Sequence, residues 1–196
     1  NQAAGAGSLG AAGKIGSAVQ WDAAVVDSIT VPYKANQNLT NTATVETWFY
    51  QGAGGGWLNL IQKDEVEAAG NRGYSLRMDG SYYPVPEFGT GAGVIFGGAG
   101  AGTVAAAQWD YLAYTYDYNV SGGTITKWTN ASSSSYNTLG GPISSSTGGI
   151  TIGGRLTGDD VNNHGAIDEI RISSAARSAE WISTTYNNQS SASTFY

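Results

Sequence analysis

The sequence predicts an all-β fold: a two-sheet antiparallel β-sandwich with one short C-terminal helix. Three observations predict it. About ten short stretches of the 196 residues carry strand chemistry, and Gly, Asn, Ser and Pro clusters separate them. Several of these stretches alternate apolar and polar residues with a period of two. Helical spacing of apolar residues occurs at one place, near the C-terminus, and no strand–helix alternation supports a parallel sheet.

Residues 1–13 come first, an Ala/Gly-rich arm without periodicity that reads alone as flexible. Two placements are open to it, against its own domain or on a neighbouring copy. The domain proper is expected over residues 14–196. Its strands are expected at 15–21, 28–32, 44–50, 57–62, 74–78, 93–96, 111–116, 124–129, 149–152 and 166–172. In the fifth of these, Tyr74, Leu76 and Met78 face one way, and Ser75, Arg77 and Asp79 the other. In the seventh, Leu112, Tyr114 and Tyr116 oppose Tyr111, Ala113 and Thr115. In the last, Asp168, Ile170 and Ile172 oppose Ile167, Glu169 and Arg171. Tyr82-Tyr83-Pro84-Val85-Pro86 is expected to be a stiff aromatic loop. The helix follows Ser178, a good N-cap. Glu180 suits the dipole of its first turn, and Ala179, Ile182 and Tyr186 form its apolar stripe.

Composition removes several function classes. Charged residues make up 12% of the chain, about half the usual share, and the net charge is −6. No basic cluster exists to neutralise phosphates, so nucleic acid is excluded as a partner. Without cysteine there is neither a disulfide nor a thiolate zinc site. No apolar run approaches the ~20 residues of a membrane-spanning helix, so membrane insertion is not expected. The 29 Gly, 12 Tyr and 6 Trp, with long Ser/Thr/Asn/Gly stretches, suit a protein facing the outside. The opening Asn1-Gln2-Ala3-Ala4 resembles a mature terminus left after a signal peptide is removed. A secreted or cell-surface location is therefore expected.

Five motifs in order then resemble one family. They are Gly13-Lys14-Ile15-Gly16-Ser17-Ala18-Val19-Gln20-Trp21-Asp22 with Ser28-Ile29-Thr30-Val31-Pro32, Val45-Glu46-Thr47-Trp48-Phe49, and Gln108-Trp109-Asp110-Tyr111-Leu112-Ala113-Tyr114-Thr115-Tyr116-Asp117. Next come Ile150-Thr151-Ile152-Gly153-Gly154 with Ala166-Ile167-Asp168-Glu169-Ile170-Arg171-Ile172, and the closing Ala176-Arg177-Ser178-Ala179-Glu180-Trp181-Ile182 with Tyr186-Asn187-Asn188-Gln189-Ser190. Over roughly residues 13–195 the chain resembles bacterial laminin G-like domains, which are concanavalin A-like jelly rolls. It departs from them where Trp128-Thr129-Asn130-Ala131 runs into serines, and over the Gly-rich Asp79–Gly102. The resemblance implies that Trp48 and Trp109 are core residues. Trp21 is expected in the core as well, and Trp181 as the anchor of the terminal helix.

Catalytic chemistry is not indicated, and the chain is expected not to be an enzyme. Glycoside hydrolases that share this fold place Glu-x-Asp-x-x-Glu on one strand, and no such motif occurs. Asp64-Glu65-Val66-Glu67 has the wrong spacing for one strand face and reads as a solvated hairpin tip. His164, the single histidine, sits in an Asp/Asn-rich loop with no marked partner. The resemblance implies one cofactor, a structural calcium, at Asp168 with Asp22 as its neighbour; read from the residues alone, the oxygen-rich loop of Asp159, Asp160 and Asn162 is a weaker second place. The alternative for Asp168 is a buried carboxylate that accepts backbone N–H bonds.

Binding rests on aromatic residues, because sugar rings stack on exposed indole and phenol faces. Trp57, Tyr82, Tyr83, Trp128 and Tyr136 have no evident core role and are the candidate ligand-binding residues. The same rings could instead cap the sandwich edges or pack against another subunit. Two functions follow. The first is a non-catalytic module for glycan binding or cell-surface adhesion. The second is a self-assembling subunit of an extracellular filament, surface layer or virion, a homo-oligomer or polymer in which the arm of residues 1–13 contacts a neighbour.

Overall fold

Alternation in the two longest strands sorts their side chains between two layers. In Thr42–Gln51, Val45 and Phe49 face inward and Glu46 and Trp48 face outward. In its neighbour Trp109–Asp117, Leu112, Tyr114 and Tyr116 face inward, and Tyr111 and Ala113 outward. A computed structural model gives the rest of the arrangement and describes residues 8–21, 28–52, 56–63, 73–91, 93–97, 100–137, 140–154 and 165–191.

In chain order the strands are β1 Ser8–Ala12, β2 Ser17–Trp21, β3 Ile29–Val31, β4 Thr42–Gln51, β5 Leu58–Lys63 and β6 Tyr74–Met78. They continue with β7 Pro84–Gly89, β8 Val94–Phe96, β9 Trp109–Asp117, β10 Thr124–Thr129, β11 Ser132–Asn137, β12 Ile150–Ile152 and β13 Gly165–Ser173. One helix, α1 Ala179–Ser190, ends the series, and a 3₁₀ turn lies at Ala35–Gln37. The strand pairings among the described residues are all antiparallel. They build a seven-stranded sheet, β1-β2-β13-β4-β9-β10-β11, and a six-stranded sheet, β3-β12-β5-β6-β7-β8. The main core lies between the sheets, around Phe49, Leu60, Leu76, Phe88, Leu112 and Tyr116. The two-sheet sandwich with a C-terminal helix is the fold expected from the alternation.

A second, smaller core sits on the outer face of the seven-stranded sheet, where α1 covers Trp48, Tyr111, Ala113 and Trp128. Ile182, fully buried, is the residue α1 drives into this cluster. Ser178 caps the helix through the Trp181 amide at 3.3 Å. The far end of α1 is held twice: Trp48 Nε1 donates to Gln189 Oε1 at 2.6 Å, and Lys14 Nζ to the Ser190 carbonyl at 3.0 Å. Glu46, the acidic residue two before Trp48, is buried and accepts the Tyr111 hydroxyl.

Several local expectations need correction. Trp181 does not anchor α1; it is 49% exposed, and Ile182 does that work. Trp128 has a core role after all, 6% exposed beneath α1. A bulge between Asp168 and Arg171, with Glu169 at φ 52°, breaks the strict alternation of β13, so that Ile167, Ile170 and Ile172 all pack toward the main core. Of the two placements open to the arm, its part Ser8–Ala12 takes the one against its own domain, pairing with β2 as an edge strand. Pro84-Val85-Pro86 is not loop but the start of β7. Pro86 O accepts the Gly97 amide, so the missing N–H groups of Pro84 and Pro86 face the β8 side, where the ladder begins only at Glu87. Proline is tolerated in a strand at such a place. The serine run after Asn130 is β11, joined to β10 by the two-residue turn Asn130-Ala131. Asn130 takes φ 55° there, and Asp110 and the Tyr111 amide hold its side chain.

Candidate functional site

The outer face of the six-stranded sheet is polar where it crosses β5, β6 and β7. Register sets Gln62, Ser75 and Glu87 in one row and Asn59, Arg77 and Val85 in the next. These polar side chains are packed to 8% exposure or less. Arg77 Nη1 donates to Glu87 Oε1 at 3.0 Å, and Ser75 Oγ to Glu87 Oε2 at 3.2 Å. At the end of the rows stands Trp57, 44% exposed, with the Arg77 guanidinium 4.8 Å from its ring centre. The stack holds the indole in place and keeps one face toward solvent, an arrangement that suits an apolar ring or sugar face.

Beside Trp57 lies the β6–β7 turn. Asp79 Oδ1 accepts the amides of Ser81 and Tyr83 at 2.8 and 3.0 Å and folds the turn. Tyr82 takes φ 63° and leans on the main core, while its carbonyl accepts the Val104 amide. A Cβ on Gly80 would lie 4.0 Å from the Gly56 Cα, so turn and Trp57 loop touch. Of the five aromatic residues singled out, the structure therefore brings Trp57, Tyr82 and Tyr83 to one end of the sandwich. Trp128 lies on the opposite sheet under α1. Tyr136, on edge strand β11, points between the sheets, with Lys127 Nζ 5.9 Å from its ring and Ser134 Oγ 3.0 Å from its hydroxyl. Arg77, Glu87, Asn59 and Gln62 were not among the candidates. Alternation had already put Arg77 and Ser75 on one face, opposite Tyr74, Leu76 and Met78; Glu87 was hidden because prolines masked β7.

Asp168 is buried, and both its oxygens accept backbone amides: Oδ2 from Ile15 at 2.9 Å and Oδ1 from Glu169 at 2.8 Å. A Cβ on Gly13 would meet Oδ2 at 2.6 Å, so the turn before β2 is built around this carboxylate. Asp22 lies outside the described residues, as do Asp64, Glu65, Glu67, Asp159, Asp160, Asn162 and His164. Calcium needs about six oxygen ligands, and no group of three His, Cys, Asp or Glu that could hold a metal occurs among the described residues. Among the strands of the six-stranded sheet Glu87 is the one carboxylate, and it is held by Arg77 and Ser75. On the other sheet, Tyr50 and Trp109, 5.7 Å apart, border a groove of about 360 Å³ with Gln20 and Ala166. No helix among the described residues is long and apolar enough to cross a membrane.

Comparison with known proteins places the fold among relatives. A family model described as the concanavalin A-like lectin/glucanases superfamily matches residues 23–183. No curated protein matches the sequence. Among solved structures, the Botulinum neurotoxin serotype G binding domain superposes with a TM-score of 0.70 at 16% identity, covering 95% of this chain and 46% of that one. The Ruminococcus gnavus IT-sialidase CBM40 gives 0.68 at 10% identity, covering 86% and 96%. Domain 4 of AbnA, an extracellular arabinanase from Geobacillus stearothermophilus solved with arabinotriose, gives 0.69 at 17%, covering 91% and 81%. The chain thus spans about half the length of the neurotoxin domain.

Proposed function

The chain belongs to the concanavalin A-like lectin/glucanase superfamily, and from that premise we propose that it is a non-catalytic glycan-binding module whose sugar platform is Trp57. The observation that carries this reading is the Trp57–Arg77–Glu87 constellation, a half-exposed indole fixed by a guanidinium that a buried carboxylate holds in turn. A sugar ring laid on the free indole face would find the hydroxyl-reading groups of the Tyr82–Tyr83 turn close by. Solved structures of similar fold include a carbohydrate-binding module and a domain with arabinotriose bound, which favours the same class of ligand. Hydrolysis of the retaining or inverting kind needs two carboxyls about 5–10 Å apart. The described strands of this face offer Glu87 alone. A secreted or surface location fits such a module. Assembly through the arm is the less favoured reading, since Ser8–Ala12 are already paired with β2 of their own chain.

The test is an array of neutral plant, bacterial and animal glycans probed with the whole chain, followed by titration of the best ligand. Trp57→Ala should weaken binding at least about tenfold, ~1.4 kcal/mol, while the melting temperature stays put. No cleavage of the bound glycan should appear. A variant that binds like the parent, or an array with no retained glycan, would overturn the reading.

A further inference from the structure

Two tryptophans among the described residues are more than 40% exposed, Trp57 at 44% and Trp181 at 49%, and each carries a guanidinium over its ring. At Trp181 the guanidinium is that of Arg177, 4.2 Å from the ring centre. The two stacks stand at opposite ends of the sandwich. Trp57 precedes Leu58, which pairs with Met78 at the end of β6, whereas Arg177 lies by Tyr74 at its start.

The second stack differs from the first in its charge. Arg77 faces Glu87, but the Arg177 guanidinium makes no hydrogen bond and no ion pair with the described chain, and its Nε is buried without a partner. Its backbone is fixed, because the Arg177 amide donates to Thr44 Oγ1 at 2.9 Å, and that hydroxyl donates to the Ala175 carbonyl at 2.6 Å. The side chain borders a cavity of about 470 Å³ between the two sheets, within the size range of small-ligand sites. Leu39 and Ile172 give the cavity an apolar side, and Ser173 and Ser174 bring hydroxyl groups. Tyr74 lines it too, 1% exposed, with a hydroxyl that has no hydrogen-bond partner among the described residues. No Asp or Glu is among the lining residues. A guanidinium is a two-pronged donor for a carboxylate, and a part-buried one without a counter-charge favours an incoming anion.

We propose that this cavity binds a carboxylate-bearing sugar, with Arg177 taking the carboxylate, the apolar side meeting the ring, and Trp181 offering its indole to the next residue of the glycan. The sugar half of this inference rests on the glycan-binding reading; the anion half rests on Arg177.

Calorimetric titration of the whole chain distinguishes the sources of the acid. The probes are trigalacturonate, a hyaluronan tetrasaccharide and sialyllactose, each beside a neutral counterpart of equal length or its methyl ester. At least one acidic probe should bind ten times more tightly than its counterpart and lose affinity as salt is added. Arg177→Gln should remove that preference. Ser174→Phe should close the cavity and weaken the acidic probe as much, leaving the Arg177–Trp181 stack in place if the first variant folds poorly. Val120→Ala, on the exposed turn between β9 and β10, should leave acidic binding unchanged. Equal binding of acidic and neutral forms, no binding of any acidic probe, or a preference surviving in both Arg177→Gln and Ser174→Phe overturns the inference. Neutral binding that depends on Trp57, with no acidic binding, would leave the first reading standing and this one fallen. Acidic binding with no neutral binding at all would uphold this inference and remove only the Trp57 platform from the first reading.

Discussion

Gly153 shows how one position can be constrained from two sides at once. Its φ of +84° lies in the left-handed region, and a Cβ there would sit 2.2 Å from the Trp21 ring. Trp21 is 4% exposed and has nowhere to go. Gly153→Ala should therefore combine backbone strain with overpacking and lower stability by about 3 kcal/mol or more, measured by urea unfolding. The sequence carried Gly153 as part of a family motif, but nothing local to Ile150-Thr151-Ile152-Gly153-Gly154 says that an indole from β2 closes over it. Aromatic positions behaved in the same way. Trp57 and Trp128 look alike in sequence, each within an expected strand, yet one is wet and the other dry. Period-two alternation tells which face a ring takes; it does not tell what covers that face.

The elements that were legible are the ones whose chemistry is ordinary for a strand. β6 and β10 were bounded to the residue, and β4, β9 and β13 within two, because β-branched and aromatic residues alternate there. Three strands were missed for three physical reasons. β1 is Ala/Gly-rich and lies on a sheet edge, β7 contains two prolines that its one-sided pairing tolerates, and β11 is a serine run stabilised by its ladder to β10. Missing β7 hid Glu87, and with it half of the candidate site. For α1 the spacing was read correctly and the anchor was not. Ile182→Ala should cost about 2–5 kcal/mol, since it opens a cavity among Trp48, Tyr111 and Trp128. Trp181→Ala should change stability by less than about 1 kcal/mol, as surface replacements do. Chemical denaturation of the two variants side by side checks the ordering.

For the molecule as a whole, titration of buried groups should set an alkaline optimum of stability. Burial pushes the Tyr74, Tyr111 and Tyr114 phenols well above their ordinary 10.0, and the Glu46 acceptor adds to this at Tyr111. Burial brings Lys127, whose Nζ donates to the Pro84 carbonyl at 2.9 Å, down from 10.5 to about 8. The unfolded lysine keeps its proton where the folded one has lost it, so stability should climb as pH rises from about 8 toward 10.5. Above pH 10 the unfolded phenols ionise and the folded ones do not, and each such tyrosine removes about 1.4 kcal/mol per pH unit. Melting temperature should thus peak near about pH 10 and fall steeply beyond it, and Lys127→Met should flatten the rise but keep the fall. The division of the tryptophans has a consequence for how the molecule can be watched. Trp21, Trp48 and Trp128 are dry and Trp109 is half-buried, whereas Trp57 and Trp181 are wet and each lies under an arginine. Iodide can quench the wet pair and cannot reach the dry ones. Red-edge emission then follows occupancy of either platform, while blue-edge emission follows unfolding alone, so one unlabelled sample reports both events by colour.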